Sequence, residues 1–379
     1  MYARLLVLLC LLPVGLAAGE VELSTLWTEG ACPGCDLRGA DLSRRNLSGV
    51  DLSGADLRGA DLRGTVFYRA DLSGADLREA LLDEASLGSA RLVGADLRGA
   101  AFPAGRLARA NLREARLDGA SLAGASLEDA DLSDASLHQT DLSNADLRRS
   151  RWRGARLSDT NLSGVRADAV AFQQAEQMEG VNFSGAKLQR ARFRGLVMPR
   201  LRMENADAQR AEFSAADLAG AHLKGSEFNS ADFTDANLAN ADLSGADFTS
   251  VRWSGAHLTG AILAGARLAG SLAGMDFSGL DLRSARFSGA NLKDARFIGS
   301  DLRNADMSGT HLYGADFTAA DLRDATFKNA KLQRVNLGQA RLEGTNLPED
   351  MLRTAPHKTE ELPWAKVFPD LVPKSAEQR

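Results

Sequence analysis

The chain has 379 residues, of which 44% are hydrophobic and 25% charged, and its formal net charge is −5. These proportions are ordinary for a soluble protein. They argue against the dense negative field that a mimic of nucleic acid needs, because 45 Lys and Arg are spread among 50 Asp and Glu.

The segment 1–18 is typical of a bacterial secretory signal peptide. Arg4 gives a positive start, residues 5–12 form an apolar segment too short to span a bilayer, and the small residues Ala17 and Ala18 offer a cleavage site. A buried N-terminal helix is the alternative. The rest of the chain has no other hydrophobic run, so we expect no transmembrane span and an exported protein, either periplasmic or secreted.

Residues 19–36 are interpreted as an N-terminal cap that contains Trp27 and a Cys-Pro-Gly-Cys motif from Cys32 to Cys35. An oxidising compartment favours a disulfide between the two cysteines. Two alternatives stay open. A reactive pair of the thioredoxin type needs a strand–helix context, whereas this motif runs directly into repeats, and a metal site needs further ligands. We expect the disulfide to fasten the cap over the first repeats, where unpaired strand edges invite association.

From residue 37 to residue 347 a large apolar residue returns at every fifth position. Runs over 37–172, 183–268 and 272–347 contain 62 such positions. All but Ala167 and Ala208 are Leu, Phe, Met or Trp, and Ala stands two residues before 40 of the 62. A period of five fits neither an α-helix nor a simple strand. It predicts a chain that turns a corner in every unit of five and points one large and one small side chain inward each time.

The units Ala55–Gly59, Ala70–Gly74 and Ala241–Gly245 read A-D-L-R-G or A-D-L-S-G and resemble the repeating unit of the pentapeptide-repeat family. The resemblance covers residues 37–347. It implies an all-β solenoid, a right-handed quadrilateral parallel β-helix with four pentapeptides per coil and N- and C-terminal caps. The 62 positions then make about 15–16 coils, roughly 75 Å long at a strand spacing of ~4.8 Å. Because side chains would fill the axis, functional residues are expected on the outside.

Folding the sequence on a coil of four pentapeptides stacks equivalent positions on one face. This predicts a column of arginines beside a column of aspartates: Arg38, Arg58, Arg78 and Arg98 next to Asp36, Asp56, Asp76 and Asp96. The two columns neutralise each other, or they form a stripe that binds an anionic partner. The same folding stacks four aromatic residues in the core: Phe193, Phe213, Phe233 and Trp253. It also places Leu132 inward and Ser133 outward.

Two breaks interrupt the period, near residues 173–182 and near residues 269–271. The first is followed by Leu196 and Leu201, which occupy positions elsewhere held by Ala. Their bulk predicts a widened or bent section. Together with Met198 they are a candidate shoulder for binding a partner, and a scar of repeat duplication is the alternative.

Residues 348–379 are predicted to form a C-terminal cap helix that starts at Pro348, followed by a Pro-rich tail. Trp364 in this tail is available either to pack back on the repeats or to bind a partner.

The sequence contains no catalytic constellation. The five histidines are scattered, and no phosphate-binding loop, zinc-protease motif or serine-hydrolase motif is present. We therefore expect no catalytic residue, metal or cofactor. The favoured function is a non-enzymatic exported scaffold that contacts an unknown protein or an envelope polymer, with end-to-end or side-by-side dimers as options and nucleic acid disfavoured. The alternatives are a DNA-mimic regulator of a nucleic-acid enzyme, as the family's gyrase inhibitors imply, and a thiol-disulfide oxidoreductase that uses Cys32 and Cys35.

Overall fold

The computed structural model of the protein describes residues 18–349 and Met351. The predicted signal peptide, apart from Ala18, and the predicted tail with Trp364 lie outside the described residues. Within the described part, no helix is long and apolar enough to cross a membrane.

The chain begins with helix α1, Ala18–Glu29. Gly30 follows with a φ of +65°, and its N–H donates to the Leu26 carbonyl, which satisfies the last turn of the helix. Leu26 is buried, while Trp27 lies exposed with the Arg45 guanidinium 5.5 Å from its ring. The repeats start earlier than the cap boundary at residue 36 predicts, because Ala31 already forms a parallel bridge.

After α1 the chain forms isolated parallel bridges instead of long strands. Asp36 bridges Asp56, Asp56 bridges Asp76, and the same sequence spacing continues along the repeats. Each bridge uses backbone groups on both sides: the Asp56 N–H donates to the Cys35 carbonyl, and the Leu37 N–H donates to the Asp56 carbonyl, both at 2.8 Å. One coil therefore contains four pentapeptides.

A tight turn separates consecutive pentapeptides. The Ala40 N–H donates to the Leu37 carbonyl at 3.1 Å across such a turn. Its third residue adopts a left-handed conformation, as Gly39 does with a φ of +64° and Arg44 with +57°. Glycine adopts this conformation without strain, which explains why it recurs there, although many corners hold other residues.

The interior confirms the inward positions that the period of five predicts. The large apolar residues are buried throughout 37–327, with Ala packed beside them. Where Thr stands in place of Ala, its buried hydroxyl donates a hydrogen bond to a backbone carbonyl. Thr65 Oγ1, for example, donates to the Leu42 carbonyl at 2.7 Å. The predicted aromatic column is also confirmed, since Phe193, Phe213, Phe233 and Trp253 stack with successive ring-centroid distances of 5.0, 4.9 and 5.4 Å.

The repeats divide into two compact units. Of the described residues, unit 1 contains 18–161 and 174–176, and unit 2 contains 162–173, 177–349 and Met351. In unit 2 the bridge from Arg166 to Lys187 spans one residue more than the regular coil, and the bridge from Ile262 to Asp281 spans one residue fewer. A short 3-10 helix, Phe172–Gln174, lies next to the extra residue.

One residue that follows a large apolar one, Ser133, is less exposed than the sequence predicts. Leu132 is fully buried as expected, but Ser133 is only 8% exposed. Its Oγ donates to Asp131 Oδ1 at 2.5 Å, and its N–H donates to the same oxygen. The prediction of an exposed Ser133 was wrong, since this side chain is almost fully buried.

The inward register can be tested with one charge placed at two sites of one pentapeptide. Leu137 is fully buried and Gln139 is exposed at a left-handed corner. We expect Leu137→Asp to lower the free energy of unfolding by several kcal/mol, because it buries an unpaired charge. The control, Gln139→Asp, should change it by about 0.5 kcal/mol or less, since Asp tolerates a left-handed conformation. Equal losses in urea unfolding would contradict the register.

Candidate interaction surfaces

Most pentapeptides expose three positions at least in part: the residue before the large apolar one and the two residues after it. The residue before it is often Asp or Asn, whose side-chain oxygen accepts a hydrogen bond from the backbone N–H two residues later, as Asp41 does from Ser43 at 3.0 Å. This bond fixes the turn locally. Because the pattern repeats with every coil, these side chains form columns on the surface.

The four predicted arginines of unit 1 lie in such a column and are all paired. We call this set the first ladder, comprising Arg38, Arg58, Arg78 and Arg98 with Asp36, Asp56, Asp76 and Asp96. Arg58 Nη2 lies 2.5 Å from Asp56 Oδ2 of its own pentapeptide, and its Nε lies 3.7 Å from Asp76 Oδ2 of the next coil. The guanidinium of Arg78 repeats both contacts, at 2.6 and 3.9 Å. The arrangement matches a self-neutralised face, because no arginine of the ladder is left without a carboxylate.

The arginines lower the pKa of the ladder's carboxyl groups. Hydrogen bonds from the Arg38 side chain lower the pKa of Asp36 to about 2. Side-chain hydrogen bonds from Arg58 and Arg78 likewise lower the pKa of Asp56 and Asp76. The carboxylates are therefore held in the charged state that the ladder needs.

A second ladder lies in unit 2 and was missed in the sequence, although the regular spacing of the coils would have revealed it. It consists of Asp281, Arg283, Asp301, Arg303, Asp321 and Arg323. Arg303 Nη2 lies 2.6 Å from Asp301, and its Nε lies 3.9 Å from Asp321. Burial raises the pKa of Asp321, but hydrogen bonds from Arg323 outweigh it, so the pKa is lowered overall.

The predicted shoulder at the first phase break is not formed by the residues assigned to it. Met198 and Leu201 are fully buried, and Leu196 is 9% exposed. Their side chains fill the interior instead. Ala167 and Ala208 stand at inward positions that hold Leu, Phe, Met or Trp in the other pentapeptides, so they occupy less of the interior volume. The exposed large hydrophobic side chain in this segment is that of Val197, at 64%.

The same coil carries cations that lack carboxylate partners. Lys187, Arg190, Arg192 and Arg194 are all exposed, and we call them the basic strip. Nearby, Arg200 pairs with Glu179 and Arg202 with Glu204. Among the described residues no ion pair involves a member of the basic strip, which distinguishes it from both ladders.

Cys32 and Cys35 are joined by a disulfide, with their Cα atoms 5.5 Å apart. Cys32 occupies the inward position of the first pentapeptide and is 1% exposed, and its sulfur lies 3.5 Å from the Glu22 carbonyl of α1. The bond therefore closes the turn directly beneath the helix. Attack by or on the Cys32 sulfur would require this packing to open.

Among the residues that the structure describes, no group of His, Cys, Asp and Glu side chains could hold a metal ion. Four of the histidines lie on outward positions of different coils: His138, His222, His257 and His311.

Comparison with known proteins places the repeats in one sequence family. Several copies of a family model described as "Pentapeptide repeats" match residues 35–74, 60–99, 110–149, 140–175, 177–214, 211–249 and 241–271. A second model, "Pentapeptide repeat region", matches residues 271–347. A search of functionally curated proteins found no match.

Solved structures of similar repeat proteins also match parts of the chain. HetL, a pentapeptide repeat protein from the cyanobacterium Nostoc involved in heterocyst differentiation regulation, is 30% identical over 65% of this chain and 95% of HetL, with a TM-score of 0.30. A thylakoid-lumen protein from Arabidopsis thaliana is 27% identical over 39% of this chain and 76% of its own, with a TM-score of 0.14. QnrB1, a plasmid-mediated fluoroquinolone resistance protein, is 17% identical over 66% of this chain and 92% of its own, with a TM-score of 0.22.

The first ladder generates a prediction about acid stability. A carboxyl group whose pKa is lower in the folded than in the unfolded state stabilises the fold above its unfolded pKa, near 3.8, and this stability is lost as the pH falls toward about 2. We expect the urea midpoint of unit 1 to fall over this interval, and the double variant Asp56→Asn, Asp76→Asn to show a shallower dependence. The matched control Asp83→Asn, Asp134→Asn should retain the slope. Identical pH profiles for both variants would show that the ladder carboxylates do not contribute.

Proposed function

Because the chain belongs to the pentapeptide-repeat family, we propose that it is a non-enzymatic, exported scaffold that binds a protein or envelope partner through the outward side chains of its coils. The fold of this family is a right-handed quadrilateral β-helix. We further propose that residues 37–347 make about 15–16 coils, with residues 19–36 and 348–379 as caps.

The observation that carries this proposal is the filled interior. Large apolar residues and alanines occupy the inward positions coil after coil, and most are fully buried. Recognition then depends on the outward columns, which the backbone hydrogen bonds between coils hold at a fixed spacing of ~4.8 Å. A partner that lies along one face would meet residues that are one coil apart in sequence.

The charge pattern supports a scaffold over a mimic of DNA. Mimicry requires carboxylates that remain unneutralised over a long surface. In the first ladder each aspartate is instead bound by an arginine of its own pentapeptide, at 2.5 to 2.7 Å. The alternating signs lower the field that a DNA-binding enzyme would sense.

The cysteine pair supports a structural role in an oxidising compartment over catalysis of thiol exchange. Catalytic cysteines present an accessible thiolate, whereas Cys32 is buried under α1. Disulfides persist in the periplasm and outside the cell, which agrees with the proposed export.

Site-specific crosslinking tests the scaffold function. A photo-crosslinking residue is placed in the full chain at Ala219, Ala239 and Thr259, one column, and separately at Ser214, Thr234 and Ser254, the neighbouring column. We expect partner adducts in cells to concentrate in one column and to be absent at the buried control position Leu238. The proposal fails if no outward position of any face gives an adduct, or if the buried control gives the same adducts.

Export is tested by the N-terminus of the protein purified from a bacterial host. We expect mass spectrometry to find a chain that starts near Gly19, with Cys32 and Cys35 oxidised, in the envelope fraction. The variant Leu8→Arg, Leu9→Arg should keep residues 1–18 and stay in the cytoplasm, because charges disrupt the apolar segment that export requires. A wild-type chain that keeps these residues in the cytoplasm would contradict export and favour the DNA-mimic alternative.

A further inference from the structure

One coil of unit 2 is charged unlike the coils that follow it. Residues 187–206 make one complete coil with six Lys or Arg and a single acid, Glu204. Residues 227–246, two coils further on, contain four acids and no Lys or Arg. The inward register does not require this separation, since it depends on other positions of the pentapeptide.

The four cations of the basic strip are exposed and can contact a partner. The basic strip follows the chain across one face and around a corner, with Lys187 before the corner at Arg190 and with Arg192 and Arg194 after it. In the two ladders an arginine after the large residue is held by the aspartate before it. Arg194 has Arg192 in that place, so the intramolecular partner is replaced by a second positive charge.

We propose that the basic strip and Val197 together bind an extended acidic segment of a protein, with its carboxylates on the arginines and an apolar side chain on Val197. This inference rests on the proposed scaffold function and names the chemical class of its partner. Guanidinium groups suit this role, because they bind carboxylates in a bidentate manner, as the ladders themselves do within the chain.

The narrow width of the basic strip favours the binding of a single extended chain. On the next coil, Asp207 bridges Lys187 and Glu212 bridges Arg192, so acids border the strip about 5 Å away. A nucleic-acid duplex presents two rows of phosphates across grooves of about 6 and 12 Å, and one row would lie over these acids. A small anion could contact only part of the strip, because Lys187 and Arg192 lie on different faces.

Val197 favours a protein segment over a polysaccharide. It is the exposed large hydrophobic residue of this coil, and no exposed aromatic side chain lies within residues 187–206 to stack on a sugar ring. Gly195 forms the corner between Arg194 and Val197, and the space where its Cβ would lie has nothing within 4 Å, so a bound chain can pass around it. Asp217 bridges Val197 on the next coil, which disfavours a carboxylate at that end and leaves an apolar contact.

The test measures binding of labelled peptides to the full-length protein by fluorescence anisotropy. The probes are short peptides with Glu at alternate positions and one Leu at either the first or the last position, and a third peptide has Gly in place of Leu. We expect Arg192→Glu with Arg194→Glu to weaken binding about tenfold or more, and added salt to weaken wild-type binding. Val197→Ser should weaken binding of one Leu-containing peptide about threefold or more and leave the Gly peptide unchanged.

The matched control is Arg106→Glu with Arg109→Glu in unit 1, two arginines on outward positions of a pentapeptide of another coil. It changes the net charge equally and should alter the affinity less than about twofold, and all variants should unfold thermally as the wild type does. Equal weakening by both double variants, or no peptide binding at low salt, would overturn the proposal.

Tighter strip-dependent binding of a heparin fragment or single-stranded DNA than of either Leu-containing peptide would also overturn it, by assigning the surface to another class of polymer. If crosslinked partners still form in cells, such a result leaves the scaffold function standing. If peptides bind but no crosslinks form in cells, the scaffold function is contradicted, while the binding of acidic peptides by the basic strip is still supported.

Discussion

The backbone hydrogen bonds between successive coils are the interaction on which this structure depends. Within each of the two units they join one coil to the next, for example through the N–H groups of Asp56 and Leu57. Short bridges of this kind are weak singly, but each coil closes many of them around a filled interior. These bonds require residues that fit the corner and the inward position of each pentapeptide. The outward positions are therefore free to vary.

The same constraint governs the electrostatics. Stacking places equivalent side chains about 5 Å apart, so identical charges would repel along a column. The two ladders avoid this repulsion by setting an aspartate and an arginine in one pentapeptide. Most of these arginines also reach an aspartate of the next coil, as Arg58 does between Asp56 and Asp76. The basic strip lacks this compensation. That contrast distinguishes a surface that stabilises the fold from one that remains available for binding.

Prediction from sequence succeeded where the period alone decides the outcome. The aromatic column of Phe193 and its successors, and the placement of an arginine column beside an aspartate column, follow from folding the chain on a coil of four pentapeptides. The prediction failed for side chains that can lie either in contact with solvent or buried against other residues. Ser133 turns back to Asp131 rather than to water. Leu196 and Leu201 were assigned, together with Met198, to a shoulder because of their bulk. Apolar burial stabilises these side chains inside and leaves Val197 exposed.

The sequence by itself determined the repeat, the inward residues and the left-handed corners, because each is set within one pentapeptide by turn geometry and apolar burial. It also determined which charges share a face. Only the tertiary structure decided which of those charges pair, since pairing depends on the reach of each side chain to its own turn and to the next coil. Arg38 and Arg194 both follow a large inward residue, yet one is held by Asp36 and the other is not held by any described carboxylate. The difference arises from one neighbouring residue, Asp36 in the first case and Arg192 in the second.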